Sequence, residues 1–198
     1  MEGKIKLSIV IPVLNEGVNL KILLPILESV VETPHEVLVV YDIDNDDSIP
    51  VVKSMQKKYS NLRLVNNTLG RGVINAIKAG VNNASGEYAL TIAADDIGPL
   101  LAIEDMASLM DQGMDLVNAT RYAHGGKNIG GVFISRLLST TANKMFHLLS
   151  GSALTDPTFG VKMFKRTKFK ELSLVSNPVG WAVSFEFAVK AQEKGWKL

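Results

Sequence analysis

No residue of this 198-residue chain is a cysteine. Disulfides and thiolate metal sites are therefore excluded, which leaves carboxylates and three histidines as possible metal ligands. His35, His124 and His147 are too scattered to read as a histidine site. Neither sign of charge is in excess: 21 Lys and Arg face 20 Asp and Glu, and a net charge of +1 creates no field that would gather nucleic acid. Long apolar runs are missing as well. None approaches the roughly 18 uncharged residues that cross a bilayer, and "MEGKIKLSIVIP" runs into Asn15 and Glu16 instead of forming a signal peptide. Linkers, repeats and low-complexity segments are also lacking. With 46% hydrophobic and 21% charged residues, the chain reads as one globular domain. The expected location is cytoplasmic, or peripheral on the cytoplasmic face of a membrane.

What is present is an alternation of two patterns. "LSIVIP" (7–12), "EVLVVYD" (36–42), "LRLVNN" (62–67), "YALTIAA" (88–94) and "DLVNATR" (115–121) are short and rich in β-branched residues. They are apolar on both faces, as parallel strands covered by helices are. Helical spacing fills the gaps, at about 18–32, 48–58, 71–83 and 99–112. The alternation predicts an α/β fold with a mostly parallel sheet flanked by helices. After Arg121, "AHGGKNIGG" (123–131) reads as a mobile loop whose Gly125, Gly126, Gly130 and Gly131 can serve as hinges. A helix over about 132–150, a turn and short strand over 156–166, and a helix over about 182–194 follow. Lys162, Lys165, Arg166, Lys168 and Lys170 read as a solvated basic face, with contact to anionic lipid head groups as the alternative.

Ligands of open α/β sheets gather beyond the carboxyl ends of the strands. Those ends read "PVLNEG", "YDIDNDDS", "NNTLGRG", "ADDIGP" and "TRYAHGG". Carboxylates can take a divalent metal, a ribose or a base, and arginine can take phosphate, so this rim suits a phosphorylated ligand with its cation. Gly70 and Gly72 belong to neither a Walker loop nor a G-x-G-x-x-G turn. Asp95 and Asp96 admit two readings from the sequence: caps of a helix starting near Pro99, or a metal and diphosphate station.

"IVIPVLNEG", "VVYDIDNDDS", "LGRGVINAIKAG", "ASGEYALTIAADD", "NATRY" and "DPTFGVKMFKR" together resemble the family 2 glycosyltransferases of GT-A fold. The likeness spans nearly the whole chain and is strongest to the dolichyl- or polyprenyl-phosphate mannosyl- and glucosyltransferase branch. It implies a nucleotide-diphospho-sugar donor of the GDP-mannose or UDP-glucose type, a Mg²⁺ or Mn²⁺ cofactor and inversion at the anomeric carbon. Residues 1–121 would then bind the nucleotide-sugar, and 122–198 would form the acceptor side. Family members continue past the point matching "EKGWKL", so that side is read as cut short here.

The resemblance also implies roles. Pro12, Leu14, Asn15 and Glu16 match the turn that lines base and ribose, with Leu14 at an aromatic position. Asp42, Asp46 and Ser48 match an acidic turn whose first aspartate is Tyr41 here. Gly70 and Arg71 join the donor side. Ala93 stands at the first aspartate of the D-A-D segment, Asp95 matches the metal-proximal one, and Asp96 is an added carboxylate. Arg121 should face the reaction centre, while Arg136 and Thr140 match positions that could receive an acceptor phosphate. Asp156 and Glu186 are the candidate general bases if the acceptor is a hydroxyl; an ionised lipid phosphate needs none. Three functions follow: hexose transfer to a polyprenyl phosphate, transfer to a saccharide hydroxyl in surface-polysaccharide synthesis, or donor binding without catalysis.

Overall fold

The computed structural model describes residues 4–121, 154–175 and 180–198. Strand and helix alternate from the start: β1 (Leu7–Val13), α1 (Gly17–Val30), β2 (His35–Tyr41), α2 (Ser48–Met55), β3 (Leu62–Asn66), α3 (Val73–Asn83) and β4 (Tyr88–Thr91). A 3-10 turn (Gly98–Ala102) leads into α4 (Ile103–Asp111), then β5 (Leu116–Asn118). After residue 153 come β6 (Lys162–Lys165), two further 3-10 turns (Arg166–Leu172 and Gly180–Ala182) and α5 (Val183–Glu193). Among the described residues, no helix is long and apolar enough to cross a membrane.

The six strands form one sheet in the order β3-β2-β1-β4-β6-β5. β1 runs parallel to both β2 and β4, and β2 parallel to β3. β6 lies antiparallel between β4 and β5, filling the gap between two strands that are consecutive in the chain. The sequence places a strand there but carries no signal for its neighbours. It also extends β4 to Ala94 and β5 to Arg121, whereas they end at Thr91 and Asn118. β4 stops pairing where the chain turns: the Asp96 amide donates to Ala93 and the Ile97 amide to Asp95.

Both faces of the sheet are buried, by period-two alternation. Leu7, Ile9 and Ile11 share a core with Leu20, Leu24 and Leu27 of α1 and with Met106 and Met110 of α4. Val10, Leu38 and Val40 point the other way, into a core with Ile74, Ile77 and Val81 of α3 and with Phe187 and Ala188 of α5. Gly80 lets α3 approach the sheet: a Cβ there would lie 2.3 Å from Val10 Cγ1.

Candidate active site

The strand order reverses at β1, since β2 and β3 extend to one side of it and β4, β6 and β5 to the other. A crevice therefore opens between the carboxyl ends of β1 and β4. Pro12 marks that opening. Val10 accepts a hydrogen bond from the Ile92 amide on the β4 side, and in a parallel strand alternate residues bond the same neighbour. Pro12 therefore turns its missing N–H towards β4, whose pairing with β1 has ended at Val10. A proline is tolerated in this central strand because its partner has already left. Leu14, 55% exposed, and Asn15, with φ +59°, form the turn beyond it.

The acidic loop after β2 holds that turn in shape. Asp46, almost fully buried, accepts from the Asn15 amide (3.1 Å) and the Ser48 amide (2.8 Å). Ser48 Oγ accepts from the Glu16 amide (2.9 Å), and Asp47 Oδ1 accepts from the Gly17 amide (2.8 Å). The first turn of α1 is thus capped from another element: Asp47 supplies the carboxylate, while Glu16 makes no side-chain cap and accepts from Asn19 instead. Asp42 Oδ1 accepts from Asn67 Nδ2 (2.7 Å) and its Oδ2 from the Gly72 amide (2.8 Å). Asn67, buried, also donates to the Gly70 carbonyl (2.8 Å). Asp42 therefore fixes the loop carrying Gly70 and the exposed Arg71, and each of its oxygens keeps a second lone pair for a ligand. Gly70 and Gly72, with φ of +99° and +115°, occupy the left-handed region that the loop requires.

Asp95 and Asp96 stand on the turn just past β4, at the mouth of the crevice. Neither is a helix cap. The following 3-10 turn has Ile97 at its N-cap and no side-chain cap bond. Asp95 is exposed and Asp96 half-buried. Burial, then the adjacent Asp95 charge, pushes the Asp96 carboxyl up to about 6, while Arg121 and a backbone bond at Ala93 act the other way. The charge of Arg121, which follows β5, thus acts on Asp96, which follows β4. Two carboxylates in mutual repulsion offer hard oxygen donors, and a divalent cation relieves the repulsion. Among the described residues, no group of three His, Asp or Glu forms a complete cage. The donor set fits an ion such as Mg²⁺, which is held by one or two carboxylates with ligand phosphate and water completing its shell.

Arg121 is locked in place. Its Nε donates to Asp156 Oδ2 (2.8 Å), its Nη2 to Asp156 Oδ1 (2.9 Å) and to Thr158 Oγ1 (3.0 Å), and its backbone amide also reaches Asp156 Oδ2 (3.1 Å). The guanidinium lies over the Phe159 ring, 4.8 Å from its centroid. A planar fork paired at both ends to one carboxylate is the strongest and most directional form of this contact. Asp156 is completely buried. The carboxylate expected as a candidate general base is thus, in this structure, the buried counter-ion of Arg121. Glu186, the other candidate base, accepts from the Val175 amide (2.8 Å) and pairs with Lys190 (2.7 Å), which ties it to α5 and the preceding loop.

The basic cluster also differs from its reading as a solvated face. Lys162 is 1% exposed. Lys165 and Lys168 both pair with Asp115 at 2.9 Å, and Arg166 Nε donates to the Gly86 carbonyl. Residues that the sequence did not single out and that shape the site are Asn67, Asn118 and Thr158. Their signal was weak because each works on a neighbour and none bears charge. Arg136, Thr140 and the glycine loop lie outside the described residues.

Comparison with known proteins then decides the family. The model of Glycosyl transferase family 2 matches residues 8–173. The chain belongs to glycosyl transferase family 2. Among the family's named members, dolichol-phosphate mannosyltransferase of Pyrococcus furiosus is 25% identical over 190 residues, covering 94% of this chain and 53% of that protein. Undecaprenyl-phosphate 4-deoxy-4-formamido-L-arabinose transferase of Yersinia enterocolitica is 28% identical over 165 residues, covering 81% and 49%. The chain thus spans about half the length of these two curated relatives. In three dimensions it is similar to glucosyl-3-phosphoglycerate synthase of Mycobacterium tuberculosis, solved with Mn²⁺, UDP and phosphoglyceric acid. The TM-score is 0.71 at 18% identity, over 96% of this chain and 64% of that one. The fold is GT-A, as the motifs imply.

Proposed function

We propose that this chain is the donor-binding and catalytic part of a metal-dependent, inverting glycosyltransferase that moves a hexose from a nucleotide-diphospho-sugar to a polyprenyl phosphate. One observation carries the reading: the Asp95–Asp96 pair stands at the mouth of the switch-point crevice, and the charge of Arg121, itself locked by Asp156 and Thr158, acts on Asp96. Negative and positive groups placed this way fit a diphosphate and its cation. The turn of Pro12, Leu14, Asn15 and Glu16, with Asp42, Gly70 and Arg71, forms the base and ribose side.

In the reaction, an oxygen of the acceptor phosphate attacks the anomeric carbon from the face opposite the donor diphosphate. The new C–O bond forms as the old one breaks, and nucleoside diphosphate leaves with the electron pair. Asp95, with Asp96 beside it, would hold Mg²⁺ or Mn²⁺, which supplies charge neutralisation for the diphosphate. Arg121 provides a fixed positive charge and hydrogen-bond donors where negative charge grows on the leaving oxygen. Asp156 and Thr158 keep its fork from reorganising during that step. Both carboxylates weighed as general bases are engaged elsewhere, Asp156 with Arg121 and Glu186 with Lys190. That favours an acceptor already ionised at neutral pH, as a lipid phosphate is. Arg136 and Thr140 are proposed to receive it. The named relatives that act on dolichol phosphate and undecaprenyl phosphate support the same acceptor class, and the neighbour bound to Mn²⁺ and UDP supports the donor class.

The test is calorimetry with a panel of GDP- and UDP-sugars, with and without Mn²⁺, followed by transfer to a short polyprenyl phosphate. Metal-dependent binding of one nucleotide-sugar and formation of its polyprenyl-phosphate sugar are expected. If no donor binds even with metal, the reading is wrong. Asp95→Asn is expected to weaken metal-dependent donor binding at least tenfold; unchanged affinity would move the metal site elsewhere.

A further inference from the structure

The Arg121–Asp156 pair rests on a lysine to which the proposed chemistry gives no part. Lys162 is among the largest fully buried side chains of the molecule. It sits in β6 opposite Thr91 of β4 and Asn118 of β5. Its Nζ donates to the Pro157 carbonyl (3.0 Å) and to Asn118 Oδ1. Asn118 Nδ2 in turn donates to the Asp156 carbonyl (2.8 Å) and to the Ala119 carbonyl (2.6 Å). Lys162 and Asn118 thus grip the two successive carbonyls of Asp156 and Pro157, while the Asp156 carboxylate grips Arg121.

An ammonium in this place is costly. Burial pushes Lys162 down to about 7, with the Asp156 charge opposing and the Arg121 charge adding to the shift. Well-packed apolar residues commonly replace buried charges without loss of stability. Hydrogen bonding of the turn explains what an apolar residue would not supply there. We propose that Lys162 is a positioning residue: with Asn118 it fixes the Asp156–Pro157 turn, so that Asp156 presents the Arg121 guanidinium in one orientation to the donor diphosphate. The proposal rests on the reading of Arg121 given above.

The test compares Lys162→Met, Arg121→Ala and the double variant of the 198-residue protein in transfer to a short polyprenyl phosphate, with thermal unfolding alongside. Lys162→Met is expected to lower kcat at least tenfold, to leave donor KM within about twofold, and to keep the melting temperature. In the Arg121→Ala background the same substitution is expected to lower kcat by less than twofold, because two residues acting through one contact are not additive. Equal losses in both backgrounds, or an unchanged kcat in Lys162→Met, overturn the proposal. If Arg121→Ala keeps full kcat, the reading of Arg121 itself falls. A second measurement needs no turnover: exchange of the Arg121 Nε–H with solvent, followed by NMR. It is expected to be at least tenfold faster in Lys162→Met, and also in Asn118→Ser, which leaves the lysine in place. Wild-type exchange in both overturns the proposal.

Discussion

At the scale of single residues, the two adjacent aspartates past β4 carry different loads. Asp95 is exposed and free to meet a cation, whereas Asp96 is half-buried beside it and its carboxyl is raised to about 6. A carboxyl raised in the folded state contributes stability that is complete below its unfolded value of 3.8 and lost as the pH rises through about 6. Asp96→Asn removes that loss. In metal-free protein, the variant is expected to gain about 1–3 kcal/mol relative to wild type between pH 4 and pH 7, measured by urea unfolding at the two pH values. A gain that does not depend on pH would mean that Asp96 is not strained. The sequence offered a helix cap as the alternative for this pair. What ruled it out was backbone geometry: the 3-10 turn begins at Gly98, with Ile97 at its N-cap, and takes no side-chain cap.

At the scale of elements, the proposed donor side is built by loops bracing one another. The acidic stretch after β2 had the composition of a solvated turn, yet Asp46, Asp47 and Ser48 bond the backbone of residues 15–17, so the β2 loop sets the shape of the β1 loop. Such contacts join positions about 30 apart in the chain, and no local pattern announces them. Helix α3 presents the opposite case, a contact that the sequence makes specific through a glycine. A methyl at Gly80 would meet Val10 Cγ1 at 2.3 Å and Val40 Cγ2 at 3.1 Å. Gly80→Ala is expected to destabilise by about 1–3 kcal/mol through overpacking, despite the better helix propensity of alanine. Denaturant unfolding checks this, and a stabilised variant would show that α3 can shift away from the sheet.

At the scale of the whole molecule, burial of Lys162 should leave a mark on the pH dependence of stability. Its folded value is about 7 against 10.5 unfolded. A depressed group contributes stability that is complete above its unfolded value and lost as the pH falls through its folded one. Wild type should therefore gain stability relative to Lys162→Met as the pH rises from 7 towards 10. A parallel pair of stability curves would mean that the lysine enters the folded state without shifting.

The sequence by itself determined the strands, the helices between them and the family. Apolar runs on both faces marked β1 to β4 as parallel strands under helices, although β5, read the same way, pairs antiparallel with β6, and the motifs keep their order along the chain. It also placed Asp95 and Arg121 at strand ends, where ligands bind. Tertiary structure decided what each polar group does once there. Burial and hydrogen-bond partners made Asp156 the buried counter-ion of Arg121, and placed Lys162, read from the sequence as a solvated charge, in the interior on the Pro157 carbonyl. Those roles depend on β6 entering the sheet between β4 and β5, a non-local pairing that no local sequence pattern records.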